Sequence, residues 1–321
     1  MTSVYVKEQG AMVRKRGERL VVSKQGETIE EFPMNQVSQV VLMGNVQITT
    51  QTMVALVQRQ VDVAFLSSYG KFRPVARAIV DAKIHNQRVV LQRQARRLAE
   101  GGRSGGAVFP RDQGLFDRSL QGMLQMQRQA QQADNLDSLR GYEGKAAAFY
   151  FEAIRSLLDR AWGFARRDYY PAPDPFNALL SFVYSLLLKD VRAAVQLVGL
   201  DVYVGFFHVP DPGRPSLALD LMEEWRPLVA DALCLELINR GSLVPDRFVQ
   251  TGNSRRPVEL GEEGVTRVLE AYGSRLGSRI YHALAGPGGE TTLQQAIVLQ
   301  ARLMARVIKG QAPTYEGIRA K

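Results

Sequence analysis

The order of hydrophobic and polar positions changes after about residue 80 of the chain. Before this point, apolar residues alternate with polar ones or form short β-branched runs, as in strands that bury one face. Turn-forming sequences such as Lys24-Gln25-Gly26 and Gly44-Asn45 separate the runs. The pattern predicts one short helix over 51–59 and strands over 3–6, 19–23, 27–32, 37–43, 46–50 and 61–67.

From residue 84 onward, apolar residues recur at the spacing of helix faces. A glycine-rich stretch at 101–106 interrupts this region, and 252–257 and 285–290 have the composition of surface loops. The chain is therefore predicted to be an α+β protein, with a small, sandwich-like β-sheet domain over residues 1–83 and a larger all-α-helical domain over residues 84–321. The helical patterns cover 86–100, 115–133, 139–160, 176–198, 216–239, 260–271 and 291–309.

The β-sheet domain is expected to join two copies of the chain. A region of about eighty residues buries only a small core by itself. Open sheet edges also favour pairing with another strand. We therefore expect a homodimer that forms through residues 1–83.

The charge and composition of the chain indicate a polyanionic partner. The 321 residues carry a formal net charge of +9, and most of their 41 Lys and Arg residues are arginines. Because a guanidinium fork matches phosphate oxygens better than an ammonium does, this balance favours a nucleic-acid partner. Candidate phosphate contacts are Arg93, Arg96, Arg97, Arg166, Arg167, Arg255, Arg256, Arg302, Arg306 and Lys309, and candidate stacking residues are Tyr169 and Tyr170.

The single cysteine, Cys234, lies in an apolar helical run and cannot form an internal disulfide. Inert core packing in a reducing compartment fits this residue. No signal peptide opens the chain, and no apolar run is long enough to cross a bilayer. We therefore expect a cytoplasmic protein without a membrane partner.

The stretch from His208 to Glu224 has the residue types of a divalent metal site. His208 ends an apolar, aromatic run, and Ser216 is predicted to cap the helix that follows a Pro/Gly-rich turn. Asp220 then shares a helix face with Glu223 and Glu224, which lie three and four residues further on. An imidazole with two or three carboxylates suits a divalent ion of phosphate chemistry. The alternative is a core histidine beside acidic residues that favour the N-terminal end of the helix dipole.

Two features frame this candidate site. Pro227 is predicted to kink or end the helix just past the acidic turn, because proline has no N–H to donate. Upstream, Glu143 stands between Gly141 and Gly144, where the missing side chains would let a backbone or a phosphate approach the carboxylate. A solvated glutamate on a helix surface is the alternative for Glu143.

Three sequence blocks in this order and spacing resemble the CRISPR-associated endonuclease and spacer integrase family, Cas1. The blocks are Leu-Arg-Gly-Tyr-Glu-Gly-Lys-Ala-Ala at 139–147, Asp-Pro-Phe-Asn-Ala-Leu-Leu-Ser-Phe-Val-Tyr at 174–184, and His208 with Ser-Leu-Ala-Leu-Asp-Leu-Met-Glu-Glu-Trp-Arg-Pro at 216–227. The resemblance extends over the whole chain, because the family pairs an N-terminal β domain with a C-terminal helical domain.

The resemblance implies a role for each matching residue. Glu143, His208 and Glu223 match the metal-binding residues of the family, and Asp220 matches a neighbouring functional acid three residues before Glu223. Asn177 and Tyr184 match the middle block, with a packing role and a DNA-facing role both open. The mixed donor set suits Mg²⁺ or Mn²⁺.

The implied function is a metal-dependent DNA endonuclease and integrase of CRISPR adaptation. It would insert short foreign DNA fragments, the spacers, into the repeat array by transesterification. The implied partners are double-stranded DNA (spacer precursor and CRISPR repeat), a second copy of the chain and the small protein Cas2. Two alternatives are a branched-DNA nuclease of repair with the same metal and a DNA-binding scaffold without catalysis. The intact set of Glu143, His208 and Glu223 argues against the scaffold.

Overall fold

A computed structural model of the chain describes residues 2–43, 46–66, 72–100, 110–208, 211, 213–286 and 288–320. The chain divides into two compact units, one of Met1–Pro74 with Pro210–Arg214 and one of Val75–Val209 with Pro215–Lys321. The first unit is rich in strands and the second is mainly helical, which confirms the predicted α+β class. The predicted turn at Gly44-Asn45 and the predicted break at 101–106 lie outside the described residues.

The first unit contains two sheets that share one core. A parallel sheet has the order β1 (Thr2–Val6), β5 (Val37–Met43), β7 (Asp62–Leu66). The second sheet has the order β4 (Glu27–Pro33), β3 (Arg19–Lys24), β2 (Met12–Arg16), β6 (Gln47–Ile48), and helix α1 is Thr50–Gln58. Val4 and Val40 from the first sheet and Val13 and Leu20 from the second belong to the same buried cluster, so the arrangement is sandwich-like, as predicted.

The second unit is a helical assembly around a large apolar core. Its first helix begins before residue 86, where the sequence pattern placed the start. The two units divide after Pro74 and not after residue 83. The reason is that Val75, Ala76 and Ile79 already pack into the helical core. The helices are α2 (Phe72–Glu100), α3 (Gln113–Gln131), α4 (Leu136–Leu157), α5 (Pro175–Leu197), α6 (Ser216–Trp225), α7 (Ala232–Asn239), α8 (Glu262–Leu276) and α9 (Leu293–Ile308).

Two hairpins with three-residue strands complete the described part of this unit. They are β8 (Phe248–Gln250) with β9 (Val258–Leu260), and β10 (Arg279–Tyr281) with β11 (Glu290–Thr292). As far as the structure describes them, the helices include none that is both long and apolar enough to span a membrane.

The helix predicted over 216–239 is interrupted, although it does not end. A π-helical turn over Arg226–Asp231 connects α6 to α7, and Pro227 lies inside it. The wider turn accommodates the missing N–H of proline, so of the two predicted outcomes the chain shows an irregularity in the helix and not its end. The prediction of Ser216 as the helix cap was wrong. Pro215 occupies the cap position without a side-chain hydrogen bond, and Ser216 is buried in the first turn.

The segment after α9 returns to α2 and is fastened there. Asn86 on α2 donates to the carbonyl of Ile318 and accepts a hydrogen bond from the backbone N–H of Ala320, both at 2.9 Å. Gly317 lies so close to α2 that a Cβ built on it would be 2.5 Å from Ala82 Cβ and 2.8 Å from Ala78 O. Both neighbours belong to the helix itself and have little freedom to shift.

We expect the Gly317→Ala variant to be destabilised by about 1–3 kcal/mol, because the new methyl group meets a rigid helix. The matched control is Gly273→Ala in α8, where an added Cβ meets nothing within 4 Å. That variant should gain up to about 1 kcal/mol from higher helix propensity. Urea unfolding of the three proteins measures both effects. Equal stability of the two variants would contradict the close contact at Gly317.

Candidate active site

The carboxylate of Glu223 on α6 lies at the centre of a buried charged cluster. Arg226 Nη1 is 3.1 Å from Glu223 Oε1, and His208 Nε2 is 3.8 Å from the same oxygen. Lys83 Nζ, from α2, is 2.5 Å from Glu223 Oε2. The lysine contact is a close ion pair between an ammonium and a buried carboxylate. Glu223 therefore faces two cationic side chains and an imidazole.

Glu143 on α4 joins this cluster through Lys83. The ammonium of Lys83 donates a hydrogen bond to Glu143 Oε1, so one lysine contacts carboxylates from two helices. The glycines beside Glu143 face open space, because a Cβ on Gly141 or Gly144 would meet no atom within 4 Å.

Asp220 orients His208. The imidazole Nδ1 lies 2.6 Å from Asp220 Oδ1, and the backbone N–H of His208 donates to the same oxygen at 2.9 Å. The N–H groups of Phe206 and Phe207 donate to Oδ2 at 2.5 Å and 2.9 Å. In the neutral imidazole the carboxylate would hold the proton on Nδ1, which leaves the lone pair on Nε2, the nitrogen that lies 3.8 Å from Glu223 Oε1. Asp220, fully buried and with both oxygens engaged, positions the histidine from behind.

The charges of the cluster determine the ionisation of Glu223. Burial alone would raise the pKa of Glu223, but Arg226, Lys83 and His208 together lower it to about 2. Burial alone would lower the pKa of Lys83, but Glu143 and Glu223 outweigh this effect and raise it. At neutral pH Glu223 and Lys83 are therefore both charged, and each charge favours the other.

Glu224, the third acidic candidate, lies outside the cluster. Its Oε2 accepts a 2.5 Å hydrogen bond from the N–H of Ile318, and Tyr315 donates its hydroxyl proton to Oε1. Burial raises the pKa of Glu224 to about 8, against the effect of these hydrogen bonds. This carboxyl connects α6 to the C-terminal segment, so of the two or three carboxylates expected near His208 it is the one that lies apart.

A second buried polar network lies behind Arg226. Asp231 accepts hydrogen bonds from the hydroxyls of Tyr184 at 2.6 Å and Tyr150 at 2.8 Å. The guanidinium of Arg226 lies over the Tyr184 ring, 4.9 Å from its centroid. Tyr184 is thus in contact with both Asp231 and Arg226. Asn177 is also fully buried, and its side chain accepts hydrogen bonds from Arg167 and from the N–H of Asp168.

Sequence reasoning missed Lys83 and Arg226. The contact of Arg226 with Glu223 could have been predicted, because residues three apart on a helix share a face. The contacts of Lys83 could not, since its carboxylate partners lie 60 residues or more away in the chain. Among the proposed phosphate contacts, Arg167 is half-buried against Asn177 and Ser181. The other nine basic candidates are exposed: Arg93, Arg96, Arg97, Arg166, Arg255, Arg256, Arg302, Arg306 and Lys309.

The residue types at this site suit a divalent ion, although their side chains are not arranged around one in this structure. Among the described residues, no three His, Cys, Asp or Glu side chains are placed to hold an ion as they stand. Lys83 occupies the position between Glu143 and Glu223. The donor set of two carboxylates and an imidazole suits Mg²⁺ or Mn²⁺. Glu223 Oε2 is 2.5 Å from Lys83 Nζ, so a metal ion at this oxygen would have to replace that contact.

Comparisons with known proteins identify the class to which this fold and cluster belong. The family described as CRISPR associated protein Cas1 matches residues 4–75 and 73–274 of the chain. A CRISPR-associated endonuclease Cas1 of Thermus thermophilus is 36% identical over 314 residues, which cover 95% of this chain and 96% of that protein. The chain belongs to the Cas1 family.

Two solved structures share the fold at low sequence identity. A casposase bound to integration product has a TM-score of 0.64 at 20% identity, with 98% of this chain and 98% of that chain covered. A partial Cas6-RT-Cas1–Cas2 complex has a TM-score of 0.63 at 21% identity, with 99% of this chain and 98% of that chain covered. These similarities extend over both units of the chain.

We expect the Asp231→Asn variant to change how stability depends on pH. Burial raises the pKa of Asp231 to about 6, against the smaller lowering effects of Tyr184, Tyr150 and Arg226. The folded protein therefore holds a proton here that the unfolded chain releases between about pH 4 and pH 6. As the pH rises from about 4 to about 6, the unfolding free energy of the natural protein should fall by up to about 3 kcal/mol relative to that of the variant.

Urea unfolding of both proteins at a series of pH values measures this difference directly. The variant is the reference because the remaining carboxyl groups titrate in the same way in both proteins. Parallel pH profiles would show that Asp231 keeps an ordinary pKa.

Proposed function

We propose that this Cas1-family protein is a metal-dependent DNA endonuclease and integrase of CRISPR adaptation, which inserts short foreign DNA fragments into a repeat array. The observation that carries the proposal is the buried cluster in which Lys83 joins Glu143 to Glu223, with His208 Nε2 3.8 Å from Glu223. Such a set of carboxylates and an imidazole, in a basic protein, matches the needs of phosphodiester chemistry.

In this proposal Glu143, His208 and Glu223 hold one divalent ion, Mg²⁺ or Mn²⁺. When bound, the ion would stabilise the negative charge that develops on the phosphate oxygens. Asp220 keeps the Nδ1 proton of His208 in place, so that Nε2 offers its lone pair. Arg226, stacked on Tyr184, stays beside Glu223 and offsets part of the acidic charge.

The proposed reaction exchanges one phosphodiester bond for another. The 3′-hydroxyl of the incoming fragment attacks a phosphorus atom in the repeat and loses its proton. The bond from that phosphorus to a 3′-oxygen of the repeat breaks, and this oxygen leaves as a new 3′-hydroxyl. One P–O bond forms and one breaks, so the step requires no nucleotide cofactor. Attack by water at the same phosphorus would instead give cleavage, the endonuclease reaction.

Exposed arginines and partner proteins would supply DNA binding. Phosphate contacts spread over several basic residues give affinity with little sequence preference. Membership of the Cas1 family and the similarity to a Cas1–Cas2 complex support Cas2 as a partner that contributes to target choice.

We expect His208→Ala and Glu143→Gln each to reduce DNA cleavage and strand transfer by more than about 100-fold, the upper range for residues that only orient a ligand. Duplex affinity should stay nearly unchanged, because distributed arginine contacts supply it. Glu152→Gln, an exposed residue on the same helix as Glu143, is the matched control with full activity. A fluorescent fragment and a repeat duplex allow cleavage, strand transfer and binding to be measured on the same proteins.

The strand-transfer assay also separates the proposed functions. Joining of the fragment to the repeat supports the integrase. Cleavage of branched DNA without any joined product would favour a repair nuclease. DNA binding without cleavage, and unaffected by divalent ions, would favour a scaffold. An equal loss of affinity and activity in the His208 variant would contradict a catalytic role for the histidine.

We also propose that the first unit forms the homodimer interface. This unit leaves several large apolar side chains exposed, among them Val54 and Val57 on α1, each 50% exposed. Light scattering should give a dimer mass that persists at high salt, since an apolar contact is not screened. Changing both valines to glutamate should shift the protein toward the monomer. The control Leu269→Glu, on a residue 46% exposed in the second unit, should leave the dimer intact. A monomeric natural protein would contradict this placement.

A further inference from the structure

Lys83 occupies the position between the two carboxylates to which the proposed function assigns a metal ion. Its ammonium contacts Glu143 Oε1 and Glu223 Oε2, and its side chain is only 9% exposed. The side chain of Glu223 is 3% exposed and that of Glu143 is 18% exposed. Two acidic groups this close and this buried repel each other unless a cation lies between them.

The polar neighbours of Lys83 on α2 are engaged elsewhere. The carboxylate of Asp81 accepts hydrogen bonds from Gln127 at 2.8 Å and Gln131 at 2.7 Å, and it pairs with Arg319. His85 Nε2 lies 2.9 Å from the carbonyl of Ala320. Asp81 and His85, the polar neighbours of Lys83 on α2, therefore have partners outside the acidic pair.

The two cations of the cluster differ in how firmly they are held. Arg226 stacks on Tyr184 and is three residues from Glu223 on the same helical segment. Lys83 carries a compact charge on a flexible four-carbon stem. The backbone around it is fixed, because Asn86 on the same helix bonds the carbonyls of Glu224 and Ile318, each at 2.9 Å. Rotation of the side chain is thus the way for the Lys83 ammonium to leave, while Arg226 stays.

We propose that Lys83 is the resident counter-cation of Glu143 and Glu223 and that a divalent ion binds to this pair by displacing its ammonium. This inference rests on the proposed metal site. It explains how a site with a mixed ligand set can be intact in sequence while its described side chains are not arranged around an ion. Lys83 stabilises the metal-free protein and, by the same contacts, weakens metal binding.

Metal affinity of charge variants tests the proposal. Lys83→Met removes the charge and keeps the length of the side chain, so Mn²⁺ should bind at least about tenfold more tightly, as expected for loss of a competing charge at close range. The metal-free variant should melt at a lower temperature than the natural protein, and Mn²⁺ should raise its melting temperature by more. Lys83→Arg keeps the charge and should bind Mn²⁺ no more tightly than the natural protein.

Lys145→Met is the matched control for charge at a distance. Lys145 is exposed, lies on α4 two residues after Glu143 and contacts the Phe149 ring. Its loss should change Mn²⁺ affinity little, because solvent and salt screen an exposed charge. Titration followed by electron paramagnetic resonance of free Mn²⁺ gives the affinity of each protein without an activity measurement.

The outcomes distinguish this inference from the proposed function. Equal or weaker Mn²⁺ binding by Lys83→Met, with binding retained by the natural protein, would overturn the competition and leave the metal site standing. Absence of Mn²⁺ binding in every protein would overturn both. If Lys83→Met and Lys145→Met both bound Mn²⁺ more tightly by the same factor, the overall charge of the protein would explain the gain. That result would also overturn the competition.

A measurement on the natural protein keeps the test decisive if Lys83→Met does not fold. Reductive methylation followed by mass spectrometry reports how accessible each lysine amine is. Displacement by Mn²⁺ should increase labelling of Lys83 several-fold and leave Lys145 unchanged. Unchanged or lower labelling of Lys83 at saturating Mn²⁺ would overturn the proposal.

Discussion

The buried carboxylate of Glu223 is the constraint on which the helical unit depends. Removal of an ionised carboxylate from water costs several kcal/mol unless opposite charges and hydrogen bonds compensate it. Lys83 on α2 and Arg226 in the turn after α6 provide this compensation, and Lys83 extends it to Glu143 on α4. Three segments distant in sequence must therefore meet at one point. The charge cluster selects one packing of these helices, beyond what their apolar faces require.

The loop before α6 is shaped by a second carboxylate, that of Asp220. Backbone N–H groups of Phe206, Phe207 and His208 converge on it. Gly205 makes this approach possible, because a Cβ there would lie 2.7 Å from Asp220 Oδ2 and 2.9 Å from Ser216 Cβ. The loop that carries His208 is thereby fixed to α6 by four contacts with one carboxylate. Preorganisation of this kind is what a ligand or catalytic group needs from the residues around it.

The sequence predicted the two-part fold and the elements that carry the acidic residues, because periodic apolar positions and local turn residues encode these features. It missed features that depend on distant partners. Val75, Ile79 and Val80 fit a strand as well as a helix by composition, so the start of α2 was placed too late and Lys83 was assigned to the other domain. The three-residue strands of the two hairpins are likewise too short for a period to be read.

The π-helical turn at Pro227 connects the buried network to the cluster. Ala232 N donates to the carbonyl of Pro227, so the chain continues as a helix although the proline offers no N–H. Tyr184 contacts both ends of this turn, with its ring 4.9 Å from the Arg226 guanidinium and its hydroxyl 2.6 Å from Asp231 Oδ1. Because the stack limits where the guanidinium can lie, Arg226 stays beside Glu223 while the lysine on the other side remains able to rotate. The irregular turn thus separates the fixed cation from the exchangeable one, and this difference is what would allow a divalent ion to enter without unpairing the whole cluster.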